Sequence, residues 1–314
     1  MNLLPPEVSY SLSRYIISRI PCEILRLLYS FSSDIGVNIG NKYITPPIGN
    51  AAGLDKDGEL LRKLNCMAFG FLTVGSVLAT QRKGNNRPII ARNKQEKTLV
   101  NSVGLPSKGI NYVKRLLNNW NGKPILVNIA GFSDEELIEL AEKISKEQWA
   151  WGIEINLSSP TYRGAWLNKL KDTIVNINSN KPTFIKLSPI MSDEEILSIS
   201  NTCSKKGYGV TVFNTYPIED DRLSTGYGGL SGSALFSLTL KTVTKIRENY
   251  EIPIIACGGV FSGRQMALLL NKGADLVEIY TSIIYRGLSA PKKIIKEFEE
   301  IVKSNKLLPY KFRK

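Results

Sequence analysis

From residue 48 onward, short apolar runs rich in β-branched residues alternate with longer segments of helical period, and this alternation constrains the chain more than any other feature. The runs cover 48–53, 69–77, 124–130, 151–159, 183–189, 209–215, 252–260 and 276–283. A continuous apolar run describes a strand buried on both faces. A helix between successive runs carries the chain back so that the next strand lies parallel to the last. Eight such units are the number that closes a (β/α)8 TIM barrel, whereas doubly wound sheets usually stop at about five to seven strands. No GxGxxG follows the first run, which disfavours a dinucleotide fold. With 314 residues the chain is long enough to bury roughly three quarters of its extended surface in one such α/β barrel.

Several helix boundaries are readable. Ser133-Asp134-Glu135-Glu136 and Ser192-Asp193-Glu194-Glu195 each offer a capping hydroxyl and acids that complement a helix dipole, so each predicts a helix start. Lys205-Lys206-Gly207 and Asn271-Lys272-Gly273 predict helix ends, where cations precede a glycine able to turn left-handed. Two stretches fall outside the eight units. Residues 78–106, rich in Asn, Arg, Lys and Gly, read as a long functional connection after the second strand. Residues 1–35 read as a helical extension ahead of a barrel spanning 36–314, with amphipathic segments at 5–20 and 21–31. Val8, Leu12, Tyr15, Ile16 and Ile20 share one face of the first, Ile24, Leu25, Leu28 and Phe31 one face of the second, and Arg14, Arg19 and Arg26 lie alongside. Such helices either plug the barrel bottom, form a subunit contact, or rest on a membrane surface.

Histidine is absent, which removes His-based triads, His zinc sites and the usual general base near neutral pH. The cysteines Cys22, Cys66, Cys203 and Cys257 lie far apart with no CxxC pair. They are therefore expected as buried apolar fillers rather than a disulfide framework or a metal site, and the compartment is expected to be reducing and cytoplasmic. No apolar window approaches a membrane span, and the start of the chain lacks a signal-peptide pattern. Lys plus Arg number 41 against 28 Asp plus Glu, and the resulting +13 favours acidic ligands or anionic surfaces without dictating a fold.

In a barrel the reactive groups belong at the C-terminal ends of the strands. Here those ends are unusually polar. They carry Lys56, Ser76, Asn128, Asn156, Lys186, Asn214 and Thr215, a set of neutral donors and acceptors with fixed positive charge. Such a set suits a planar heterocycle with amide edges and a carboxylate. Gly228-Gly229-Leu230-Ser231-Gly232, then Gly258-Gly259 after the seventh strand and Tyr280-Thr281 after the eighth, place small residues where barrels commonly bind a phosphate.

These residues resemble the dihydroorotate dehydrogenases, FMN-containing (β/α)8 enzymes of pyrimidine synthesis, over nearly the whole chain. Ala51-Ala52-Gly53-Leu54-Asp55-Lys56-Asp57-Gly58 is similar to the family's first-strand motif, Asn101-Ser102-Val103-Gly104-Leu105-Pro106 to its substrate loop, and Asn156-Leu157-Ser158-Ser159-Pro160 to its catalytic loop. The resemblance implies that Ala52, Gly53, Lys56, Ser76, Asn128, Asn156, Lys186, Gly229, Ser231, Gly232, Gly258, Gly259, Tyr280 and Thr281 hold FMN. It also implies that Lys56, Asn101, Asn156, Asn214 and Thr215 hold dihydroorotate. Ser159 would take the C5 proton while hydride leaves C6, and Lys186 would stabilise the charge left on the flavin.

Within that family Ser159 and the N-terminal helices, including Pro6-Glu7, resemble the membrane-associated quinone users. The 101–106 and 128–133 segments are more similar to the class with soluble acceptors. Thr161 stands where most members have a substrate-binding Asn, and Phe213 where the membrane class has Thr. The acceptor implied is a quinone reached at the cytoplasmic face of the membrane through residues 1–33. The alternatives are a soluble acceptor, a partner electron-transfer subunit, or a related dihydropyrimidine as substrate. An oligomer is compatible with either class. Nucleic acid is not expected as a partner, because an RNA-modifying flavin barrel would carry a cysteine acid and a separate RNA-binding domain.

Overall fold

The computed structural model describes residues 4–156 and 166–305. Its centre is a ring of parallel strands, Ile48–Asn50, Leu72–Val77, Ile125–Ile129, Gly152–Asn156, Thr183–Lys186, Gly209–Val212, Ile254–Cys257 and Leu276–Ile279. The second to eighth pair in chain order and the eighth pairs with the first. A parallel bridge from Gly49 to Phe71 then joins the first strand to the second. The expected (β/α)8 barrel is therefore present, and each strand is shorter than its apolar run. The caps behave as their chemistry dictates. The Glu136 amide donates to Ser133 Oγ at 3.1 Å, Ser192 and Glu195 form a reciprocal capping box, and Gly207 ends its helix at φ 68°.

The bottom of the barrel is an apolar plug. Phe71, Trp151 and Phe184 pack there with ring centroids 6.0 and 6.5 Å apart. Glycines make room for them: a Cβ at Gly49 would come within 2.5 Å of the Phe71 ring. A hairpin of Val37–Ile39 and Lys42–Ile44 precedes the first strand, and its Gly40 lies against Pro182 at the same end.

Three expectations change. Residues 78–106 are not simply a connection but include two strands, Ile90–Asn93 and Thr98–Asn101, which join Tyr216–Glu219 and Tyr227–Gly232 in a four-stranded antiparallel sheet above the barrel. The first two pair with each other as a local hairpin, but Tyr227–Gly232, which extends the sheet beyond Thr98–Asn101, lies more than a hundred residues further on, beyond the reach of local patterning. The first extension helix, α1 (Pro6–Arg19), does not plug the bottom but lies at the mouth, where Arg14 donates to the Leu54 carbonyl at 3.0 Å and the Ile89 amide donates to Glu7 at 2.5 Å. Finally, Cys22, at the start of α2 (Cys22–Tyr29), forms a disulfide with Cys66 (Cα to Cα 5.8 Å), so these two are not separate fillers. Nothing local links them, since they stand 44 positions apart and only the packing of α2 on the barrel brings them together. Cys203 is buried as expected, and Cys257 is half-buried.

Candidate active site

Parallel register builds the site, because residues paired across neighbouring parallel strands point to the same side of the sheet. Asn128 pairs with Glu154, Asn156 with Lys186, Lys186 with Thr211, and Cys257 with Glu278. One level above the aromatic plug, the barrel interior thus becomes polar. Asn50, although buried, is spent on structure: its side chain exchanges hydrogen bonds with both backbone groups of Thr73, at 2.7 and 3.1 Å.

Above this layer opens a cavity of about 1030 Å³, roofed by α1 and the four-stranded sheet. Every site residue expected from the sequence and lying among the described residues lines it, including Ala52, Gly53, Lys56, Ser76, Asn101, Asn128, Asn156, Lys186, Asn214 and Thr215. Gly229, Ser231, Gly232, Gly258, Gly259, Tyr280 and Thr281 line it as well. Ser159 and Thr161 fall outside the described residues. Phe213 is buried and takes part of the wall.

A chain of amides runs across one side. Asn214 Nδ2 donates to Asn156 Oδ1 and Asn156 Nδ2 to Ser76 Oγ, both at 3.2 Å. Asn101 Nδ2 donates to the Gly229 carbonyl at 3.2 Å, which joins two adjacent strands of the roof sheet through a side chain. At the opposite side Thr281 Oγ1 donates to Ser231 Oγ at 3.0 Å, beside Gly258 and Gly259 with φ of 142° and 77°. A Cβ at Gly259 would strike the Phe236 backbone at 2.5 Å, so only glycine lets the chain pass this close. Lys56 is half-buried, and desolvation pushes its ammonium down to about 8. Lys186 is opposed by burial too, but the carboxylates of Glu154 and Glu278 outweigh it and hold its charge above the ordinary lysine range.

Sequence reasoning missed Glu154, Glu278 and Thr73, which sit inside runs read as apolar. The available signal was an acid within a strand, flanked on both sides by Ile or Val, as in Ile153-Glu154-Ile155 and Val277-Glu278-Ile279.

Residues 35–302 match the family described as dihydroorotate dehydrogenase. A dihydroorotate dehydrogenase (quinone) of Coxiella burnetii is 31% identical, with 93% of this chain and 92% of that protein covered. One from Shewanella woodyi is 30% identical, covering 79% and 82%. Among solved structures, ligand-free dihydroorotate dehydrogenase from Eimeria tenella superposes with a TM-score of 0.85 at 24% identity, covering 97% of each chain, a likeness of fold.

Proposed function

Because the chain belongs to the dihydroorotate dehydrogenase family, we propose that its cavity oxidises dihydroorotate to orotate in de novo pyrimidine synthesis, with FMN as hydride acceptor and a quinone as final oxidant. The carrying observation is a cavity that joins Lys56, the buried Lys186, a run of asparagine amides and a glycine cradle. FMN supplies the two-electron acceptor when bound. The residues present fit it: Asn128 Oδ1 is buried without a partner among the described residues, and Gly258 and Gly259 line the cavity with bare backbone, packed too closely on Thr239 and Phe236 to carry side chains.

In this reading Ala52, Gly53, Ser76 and Asn128 would hold the flavin ring, and Lys186 would offset the negative charge it gains. Gly229, Ser231, Gly232, Gly258, Gly259, Tyr280 and Thr281 surround the phosphate. Asn101, Asn156, Asn214 and Thr215 hold the substrate ring, and Lys56 pairs with its carboxylate while also touching the flavin. Ser159 accepts the C5 proton. A neutral hydroxyl is a weak base, so its proton must pass onward as hydride leaves C6.

The quinone reading rests on α1 and α2. Val8, Leu12, Tyr15 and Ile16 of α1 and Ile24, Leu27 and Leu28 of α2 are exposed, Leu27 at 80%. The cavity extends beneath α1 between Ile16, Ile17, Ile90, Ile283 and Ile284. An apolar acceptor therefore has an apolar path, and the exposed face with its arginines suits the headgroup region of an anionic membrane. Among the described residues no helix is long and apolar enough to cross one. The exposed apolar faces of α1 and α2 support a peripheral membrane contact through this extension.

The test is the purified protein itself. Released flavin should behave as FMN, dihydroorotate should bleach the bound flavin, and among quinones, fumarate and NAD⁺ only quinones should restore its colour rapidly. Finding FAD, or no bleaching by dihydroorotate, refutes the cofactor or the substrate. Faster recovery with fumarate or NAD⁺ refutes the acceptor.

A further inference from the structure

The floor of the cavity holds a charge cluster that the reading above uses only in part. Lys186 Nζ lies 3.2 Å from Glu154 Oε2 and 3.4 Å from Glu278 Oε2, and all three side chains are buried. Each carboxylate has a second anchor: Asn128 Nδ2 donates to Glu154, and Thr73 Oγ1 donates to Glu278 at 2.7 Å. These groups come from five different barrel strands, so the cluster braces the interior from wall to wall. One ammonium between two carboxylates leaves one negative charge in excess where water is scarce, which is a costly arrangement.

A proton removes that excess. The charged or titratable groups facing Glu278 are Glu154, Lys186 and Cys257. Burial keeps the Cys257 thiol well above its usual range and therefore neutral, while Lys186 stays charged. Burial and the neighbouring Glu154 push Glu278 up to about 7, against the pull of Lys186 and Thr73.

We propose that Glu278 is a positioning residue for Lys186, and that gain or loss of one proton on its carboxylate sets how much positive charge the lysine presents to the group above it. With Glu278 ionised the cluster carries a net −1 and the ammonium is neutralised from below. With Glu278 protonated the cluster is neutral and the ammonium is available upward. The identity of the group above, the flavin ring edge, rests on the proposed function. A flavin that accepted a hydride there would gain one negative charge, which would favour the protonated carboxyl, so Glu278 would take one proton from solvent on reduction and return it on reoxidation.

Glu278→Gln keeps the size and an acceptor for Thr73 but cannot titrate. A glutamate with a folded-state value near 7, against an ordinary 4.5, contributes stability that is intact below the lower value and lost as pH rises through the upper. Thermal midpoints of wild type and E278Q, measured on the protein as purified, should therefore diverge between pH 5 and 8, with E278Q gaining relative to wild type. Coinciding profiles overturn the proposal. In a redox titration of the bound flavin, E278Q should hold about tenfold more reduced flavin than wild type at the same poise at pH 8.5, and nearly the same amount at pH 5.5. A ratio independent of pH overturns the proposal too. Should E278Q fail to fold, infrared difference spectra of the wild type between pH 5.5 and 8.5 must show a protonated carboxyl band disappearing, and its absence is equally decisive. A preparation that binds no flavin refutes the cofactor reading, while the thermal profiles still decide the role of Glu278.

Discussion

The two ends of this barrel are made from the same eight strands yet do opposite things. At the bottom, Phe71, Trp151 and Phe184 fill the interior against Gly49 and Gly209, and the inward side chains are apolar and close-packed. One level up, the same inward positions hold Thr73, Asn128, Glu154, Lys186 and Glu278, and above them lies open volume. Burial at the lower end stabilises the ring, whereas burial at the upper end shifts proton affinities and sets up charge. Variants at the two ends should consequently fail in different ways.

The largest expected effect is at the roof of the upper end. Deleting residues 1–33 should abolish quinone reduction while flavin reduction by dihydroorotate continues in the remaining barrel, as stopped-flow measurement of the two half-reactions will show. If both half-reactions and the thermal midpoint fall together, the helices serve as cover for apolar surface, since Leu25 of α2 is wholly buried. Unchanged quinone reduction would leave them no part in acceptor binding.

At the lower end, Phe184→Ala should cost about 3–5 kcal/mol in denaturant unfolding, the range for a buried aromatic truncated in a packed core. Flavin reduction in the folded fraction should stay within about threefold of wild type, because the plug touches no reacting atom. A large kinetic loss with little change in stability would erase the division between the two ends.

A smaller effect, purely kinetic, is expected for Ser159→Ala. Flavin should remain bound while its reduction by dihydroorotate slows by about two orders of magnitude. A rate within about threefold of wild type removes Ser159 as the base. The mildest test uses pH alone. Because burial lowers Lys56 to about 8, its charge in the free protein is present below that pH and lost above it. The kcat/KM for dihydroorotate should therefore fall by up to about tenfold per unit above pH 8, with kcat nearly flat. A level kcat/KM profile to pH 10 would detach Lys56 from the substrate carboxylate.

Much of this was legible in the chain because it is local. The eight apolar runs became the eight strands, Ser133 and Ser192 capped the helices they precede, and the motif residues at strand ends gathered into one cavity. What escaped was long-range. The strand at 98–101 finds its outer partner near residue 230, and Cys22 meets Cys66 only because α2 docks on the barrel. Glu154 and Glu278 were hidden by their apolar neighbours, which face the helices outside while the acids face inward.

The sequence by itself determined the barrel, its helix boundaries and the set of polar residues at its mouth, since periodicity and capping depend on residues a few positions apart. Tertiary structure alone decided that α1 covers the mouth, and that Lys186 stands between two carboxylates more than a hundred residues apart in the chain. Coulombic attraction and desolvation act through space, so the protonation state of that cluster exists only once the barrel has closed.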